Sequence, residues 1–386
     1  MSDGLIRKLR VRDVEMDASG RLEMICRYDG EDHVLWFGLP SGSKRPHGDL
    51  IACVIAATFG SKFDEFELME PVTRDTRERL EMITQAEWNA PLNVGSSPTL
   101  GDKLALNFSG GFDSLAALAL LDRESTELVS MDFGGKFIRE RGFFERFTPH
   151  IVETNIAGFQ GDWTFMGAGT LLLAETIGAS FMAFGSILEA SPWNFRRGAD
   201  PSADHAVFRA AGLRGVAPVA GLTEFGTTRL VVDRFPNLVM DSLASLADPH
   251  TEKYFRKLQM VHHALPEHSE IATLAREVSP ARVGEYGNSF AMDFLAPGMF
   301  KFSAHSSPRW MKPPQGVFDL IADLDLDFYW KWNPSLQVDP SGAWGIGLAV
   351  RRSEEGLETY DEKDWDEIRR IVAVMKMFHK FPGATW

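Results

Sequence analysis

Apolar and polar residues alternate along the start of the chain, in residues 5–16, 21–28 and 33–37. A period of two predicts strands with one buried face, and the polar turns Asp17-Ala18-Ser19-Gly20 and Asp29-Gly30 predict hairpins or a meander. The period then lengthens. Residues 49–59 read as a buried helix ending at Gly60, and residues 75–88 as a second helix with Leu80, Ile83 and Trp88 on its apolar side. Residues 93–101, rich in Gly, Ser and Pro, read as a linker.

From Lys103 onward the pattern alternates between short apolar runs and helical stretches. Strands are predicted at residues 104–108, 127–133, 150–155 and 180–184. Helices are predicted from the end of the first strand to about residue 122, at 137–147, and at 168–177 before Gly178. Such βαβ alternation predicts an α/β fold, a doubly wound parallel sheet with helices on both faces. Ligands in such sheets sit at the carboxyl ends of strands, so three segments are expected to converge there: residues 109–114, 132–135 and 185–189.

Further on, residues 241–247 and 250–265 read as helices. Asp323, Asp325 and Asp327 alternate with leucines and read as an exposed strand face. Residues 364–378 read as an amphipathic helix with Trp365, Ile368, Ile371, Val372 and Met375 as its core stripe. The expected organisation is a smaller N-terminal α+β module (1–97), a nucleotide-binding domain (98–265) and a helical C-terminal extension (266–386) serving as a lid or pocket wall.

The chemistry concentrates in Ser109-Gly110-Gly111-Phe112-Asp113-Ser114, between the apolar run 104–108 and the helical run 115–121. A glycine turn from strand into helix aims backbone N–H groups and the positive end of the helix dipole at whatever lies in the turn. The usual ligand for that geometry is phosphate. The Ser109 and Ser114 hydroxyls add donors, and Asp113 is suited either to hold magnesium or to cap the helix. The loop is not a Walker A sequence, because the Gly-Lys-Ser/Thr ending is missing.

This six-residue run resembles the PP-loop, SGGxDS, of the N-type ATP pyrophosphatases, with Phe112 in the free position. That superfamily includes asparagine synthetases, GMP and NAD synthetases, tRNA-thiolating enzymes and 7-cyano-7-deazaguanine synthase. The resemblance implies an adenine nucleotide α-hydrolase-like sheet, ATP and Mg2+ as cofactors, and cleavage of ATP to AMP and pyrophosphate with adenylation of a carboxylate or carbonyl oxygen. Ser109, Asp113 and Ser114 would carry the catalysis, and Asp113 the metal. Ser109–Ser114, Met131, Asp132, Phe133 and Gly185 would bind the nucleotide. Asp132-Phe133-Gly134-Gly135 also makes a serviceable turn, and both readings stay open.

The segment Gly185-Ser186-Ile187-Leu188-Glu189 resembles the glycine-to-acid segment of asparagine synthetases and 7-cyano-7-deazaguanine synthase. Those enzymes place aspartate at or beside the acid position, and the longer Glu189 would relocate any contact. Arg196 and Arg197 offer guanidiniums to a phosphate or carboxylate, or form a solvated surface pair. With Glu189 they complete the candidate substrate residues.

Composition narrows the choice. The 386 residues contain two cysteines, Cys26 and Cys53, and no CxxC pair. Neither a cysteine zinc site nor the paired cysteines of sulfur-inserting tRNA enzymes can be built from them, so no zinc is expected. A net charge of −14 disfavours nucleic acid as a partner, since a tRNA-binding enzyme needs a broad basic surface, although Arg196-Arg197 and residues 253–257 offer local positive charge. No apolar run is long enough to span a membrane, and the N-terminus lacks the basic head and apolar block of a signal peptide, so a cytoplasmic location is expected.

The expected function is an ATP-dependent ligase or amidating enzyme, nearest the 7-cyano-7-deazaguanine synthase-like branch, acting on a small molecule or a protein terminus, as in a bacterial defence or modification operon. No glutaminase is evident, so ammonia or an amine would come from solution or from a partner protein. A tRNA-modifying PP-loop enzyme and a catalytically inactive nucleotide-binding scaffold stand as the alternatives.

Overall fold

The alternating segments at the start of the chain form β1 (Lys8–Met16), β2 (Arg21–Tyr28) and β3 (Glu31–Gly38), paired antiparallel. Leu22, Met24 and Cys26 of β2, with Leu35 and Phe37 of β3, occupy the buried face, as period-two alternation requires. These are coordinates of a computed structural model that describes residues 6–159, 161–196, 204–303, 307–336, 339 and 342–381. Next comes α1 (Gly48–Phe59), buried along its whole length and stopped at Gly60. β4 (Glu65–Leu68) pairs parallel with β1, and α2 (Arg74–Thr84) leads to β5 (Glu87–Asn89), parallel to β4.

Trp88 was expected on the second helix and lies instead in β5. Gln85 ends α2 in the left-handed region, at φ 56°, and the Trp88 indole stacks on Phe66 with centroids 4.6 Å apart. Its Nε1–H donates to Thr84 Oγ1 at 3.0 Å, so the ring is fully satisfied off the helix.

Strands and helices then alternate: β6 (Lys103–Asn107), α3 (Phe112–Leu120), β7 (Thr126–Asp132), α4 (Ile138–Phe144), β8 (His150–Thr154), α5 (Ala168–Ile177), β9 (Ala179–Ala183), α6 (Ala206–Ala210) and β10 (Arg214–Val216). The second half of the chain supplies α7 (Glu224–Arg234), α8 (Val239–Leu246), α9 (Glu252–Ala264), α10 (Ser269–Glu277), α11 (Phe290–Phe302), α12 (Ser307–Trp310), α13 (Gln315–Ile321), α14 (Gly345–Glu354) and α15 (Glu362–Met375). Neither β10 nor α7 was anticipated from the sequence. Residues 323–327 do not form the expected strand: Leu326 takes φ 62°, which breaks an extended backbone, and Glu367 accepts the N–H groups of Asp325 and Leu326.

Ten strands make one mixed, mostly parallel sheet in the order β10-β9-β6-β7-β8-β3-β2-β1-β4-β5, and Gly284–Glu285 pairs parallel with Met311–Lys312 in a separate two-stranded one. From β10 to β8 every pairing is parallel. Counted along the chain, β8, β7, β6, β9 and β10 stand as third, second, first, fourth and fifth, so the order reverses between β6 and β9. The antiparallel strands join this half only through β3 and β8, where Phe37 faces Thr154 and Gly38 faces Glu153. The Asn155 side chain extends that seam: it accepts from Trp36 N at 3.0 Å and donates to Val34 O at 2.7 Å, as a strand backbone would.

The chain divides into two compact units. One comprises Met1–Ser109, Arg123–Ala183 and Ala203–Val216, and holds the ten-stranded sheet; within it α5 packs on β6, β7 and β9 and against α1. The other comprises Gly110–Asp122, Phe184–Ser202 and Ala217–Trp386, and is mainly helical, with α3 against α7 and α7 against α9. Its core is aromatic, built around Phe225, Phe255, Phe294, Trp310, Phe328 and Tyr329. Among the described residues no helix is long and apolar enough to cross a membrane.

Candidate functional site

The motif begins two residues after β6 ends. Ser109, in the sheet-bearing unit, is exposed, and the chain turns at Gly110, whose φ of 77° lies where only glycine sits without strain. Gly111 takes the N-cap position of α3 in an extended conformation and brings no side chain of its own. The turn is held from beneath, as Ser242 of α8 donates its hydroxyl to Gly110 O at 2.8 Å. Ser114 is buried and donates to Gly111 O at 2.9 Å, tying the first turn of α3 back on itself.

Gly185 belongs to the same local structure. A Cβ built on it would lie 2.6 Å from the carbonyl carbon of Asp113 and 2.7 Å from the N of Ser114. The 185 backbone thus lies directly on the first turn of α3, and any side chain there would push the two apart.

Asp113 is the hub of a largely buried ionic network. Its Oδ1 accepts from Thr227 Oγ1 at 2.7 Å and from Lys257 Nζ at 3.2 Å. Lys257, whose side chain is 1% exposed, also pairs with Glu224 Oε1 at 2.9 Å and lies 5.1 Å from the Phe112 ring centroid. Glu224 pairs through its other oxygen with Arg256, whose Nε donates to Glu252 Oε1 at 2.7 Å. The Trp310 indole N–H donates to the same Glu252 oxygen at 2.6 Å. A continuous polar chain therefore runs from the motif aspartate into the aromatic core.

Burial and charge pull these groups in different directions. Burial alone would raise the Asp113 carboxyl, but the Lys257 ammonium and the Thr227 hydroxyl outweigh it and hold the group below the ordinary carboxylate range. Burial drags the Lys257 ammonium down to about 8 against the attraction of Asp113. Arg256 is likewise lowered by burial, to about 10, and keeps its proton at neutral pH.

No family model, curated protein or solved structure matches this chain.

Glu189 is placed inside the network rather than at its rim. It is 1% exposed, and its Oε1 accepts the Glu224 N–H at 2.7 Å, at the start of α7. Its Oε2 is buried with no hydrogen-bond partner among the described residues. Burial, reinforced by the Asp113 charge, pushes the carboxyl up to about 8. Asp113 suits a magnesium ion: its side chain stays 32% exposed, and magnesium commonly takes one or two carboxylates and draws its remaining ligands from phosphates and water. Among the described residues no cluster of three or more His, Cys, Asp or Glu is placed to hold a metal.

The other expected residues take these positions. Met131, Asp132 and Phe133 lie at the carboxyl end of β7, the strand beside β6. The Met131 sulfur accepts the Gly169 N–H at 3.1 Å, and the Phe133 ring meets Phe137 and Phe165. Asp132 is buried; it caps the turn by accepting Gly134 N at 2.8 Å and pairs with Arg141 at 2.6 Å. Arg196 sits with its guanidinium over the Trp193 ring, 5.0 Å from the centroid. Arg197 lies outside the described residues. Cys26 and Cys53 are free and buried, and desolvation lifts the Cys26 thiol to about 12, far from a nucleophile's range.

Sequence reasoning missed Thr227, Glu224, Arg256 and Lys257 as members of the site. The signal for Lys257 was present: Tyr254, Leu258 and Val261 mark the buried stripe of α9, and Lys257 falls within it. A lysine on an apolar helical face is rare without a buried partner. For Thr227 and Glu224 the clue was weaker, since the helix that carries them was not anticipated.

Proposed function

We propose that this chain is an adenylate-forming enzyme of the PP-loop type, which binds ATP with magnesium at residues 109–114 and cleaves it between the α and β phosphates. The observation that carries this reading is the left-handed Gly110 turn, which joins the carboxyl end of β6 to the first turn of α3 where the strand order of the sheet reverses. That is where open α/β sheets bind nucleotides, and where helix N–H groups and dipole favour phosphate. On this reading the parallel half of the sheet is the nucleotide-binding core of a doubly wound fold.

The chain's own groups have defined tasks. The loop N–H groups and the Ser109 hydroxyl orient the β and γ phosphates. Asp113 is the carboxylate that would hold magnesium, which when bound neutralises phosphate charge. Met131–Phe133, at the end of the neighbouring strand, would face the adenosine, as in the family the motif resembles. A substrate carboxylate or carbonyl oxygen attacks the α phosphorus in line and pyrophosphate departs; the protein contributes alignment and charge stabilisation more than covalent chemistry. An amine then displaces AMP from the adenylate.

The test is direct. ATP is supplied with a metabolite or peptide extract, and AMP, pyrophosphate and adenylated products are followed by mass spectrometry. Formation of AMP with equimolar pyrophosphate by the wild type, lost in both Asp113→Ala and Ser109→Ala, is the expected result. Release of ADP and phosphate instead, or unchanged pyrophosphate release in both variants, would sink the assignment.

A further inference from the structure

Lys257 is a costly residue to keep. An ammonium removed from water needs strong compensation, and replacing such a pair by apolar groups is often neutral or stabilising. Its side chain is 1% exposed, beneath the partly exposed Asp113, so it reaches a loop ligand only through that aspartate. It is also the residue through which Glu224, Arg256, Glu252 and Trp310 connect to the loop.

We propose that Lys257 is a positioning residue for phosphate binding: pinned from below by Glu224, its ammonium fixes the ionised Asp113 carboxylate in one orientation at the start of α3 and supplies positive charge beneath the loop. This role rests on the phosphate-loop reading, since it requires an anion above Asp113. Thr227 supports the same carboxylate oxygen but carries no charge, so it orients without adding to the potential.

The test is calorimetry with inorganic pyrophosphate and magnesium at one fixed pH, on wild type, Lys257→Met and Lys257→Arg, with thermal melts to show that each ligand-free protein is folded. K257M is expected to weaken binding about tenfold, the loss of one charge-assisted contact. K257R keeps the positive charge and should recover most of that affinity, a rescue that a purely space-filling role would not give. If K257M does not fold, Glu224→Gln takes its place: it leaves the ammonium unpinned and should weaken binding several-fold. Wild-type affinity in K257M, or in E224Q where K257M does not fold, overturns the role of Lys257, and so does a loss in K257R as large as that in K257M. Failure of the wild type to bind either pyrophosphate or ATP overturns the phosphate-loop reading instead.

Discussion

A carboxylate that shares one oxygen between a threonine hydroxyl and a lysine ammonium has lost most of its freedom to rotate. That is the condition of Asp113 in the folded chain. Glu189, the acid that the sequence placed beside it, has the opposite character: sealed, raised in pKa by burial and bonded to the start of α7. Its folded-state pKa is raised above the unfolded value, so the native state holds the proton more tightly and stability falls as pH rises from the ordinary carboxylate range to about 8. Glu189→Gln mimics the protonated side chain and is expected to flatten that dependence. Its melting temperature should exceed the wild type's at alkaline pH and match it below the ordinary carboxylate pKa. Thermal melts across pH check this, and identical pH dependence in both proteins would show that folding does not shift the Glu189 carboxyl.

At the scale of the element, the turn into α3 depends on two glycines for different reasons. Gly110→Ala places a Cβ in the left-handed region and is expected to cost about 1–2 kcal/mol and to distort the turn into α3. Gly185→Ala strains nothing in its own backbone but collides with the first turn of α3, with an expected cost of about 1–3 kcal/mol. Denaturation in urea reads both costs, and calorimetry with ATP should show weakened binding in each variant. The βαβ pattern of residues 103–184 was legible in the sequence because strand and helix periods alternate cleanly there and Gly178 marks a stop. Less legible was whatever tertiary contact decides. Trp88 left its helical period for a stacking partner on β4, and α7 hid because Thr223, Thr227 and Thr228 read as weak helix formers. In the structure Thr223 caps that helix, Thr227 holds Asp113 and Thr228 bonds back to Glu224 O. The loop itself was readable since its chemistry is local; the ion network around it joins residues more than a hundred positions apart, which no spacing rule reaches.

For the whole molecule, the net charge of −14 sets the field in which any anionic partner approaches. Small phosphates with magnesium arrive partly neutralised, whereas tRNA brings a long array of phosphates that needs an extended basic surface. Tight, steeply salt-dependent tRNA binding is therefore not expected, and a filter-binding titration across salt concentrations checks it. The sheet carries a different consequence. Strands β1 to β3 pair as neighbours in sequence, while the pairings from β10 to β8 are parallel and require crossovers, and the two groups meet at the Phe37–Thr154 and Gly38–Glu153 pairs, the Asn155 amide and the Thr154 hydroxyl, which donates to Trp36 O. Contacts that close so large a loop for so few hydrogen bonds form late and open early. The β3–β8 seam is thus the thinnest pairing within one continuous sheet, and the Trp36 amide, which donates across it to Asn155, should exchange with solvent well before the amides of β6 and β7.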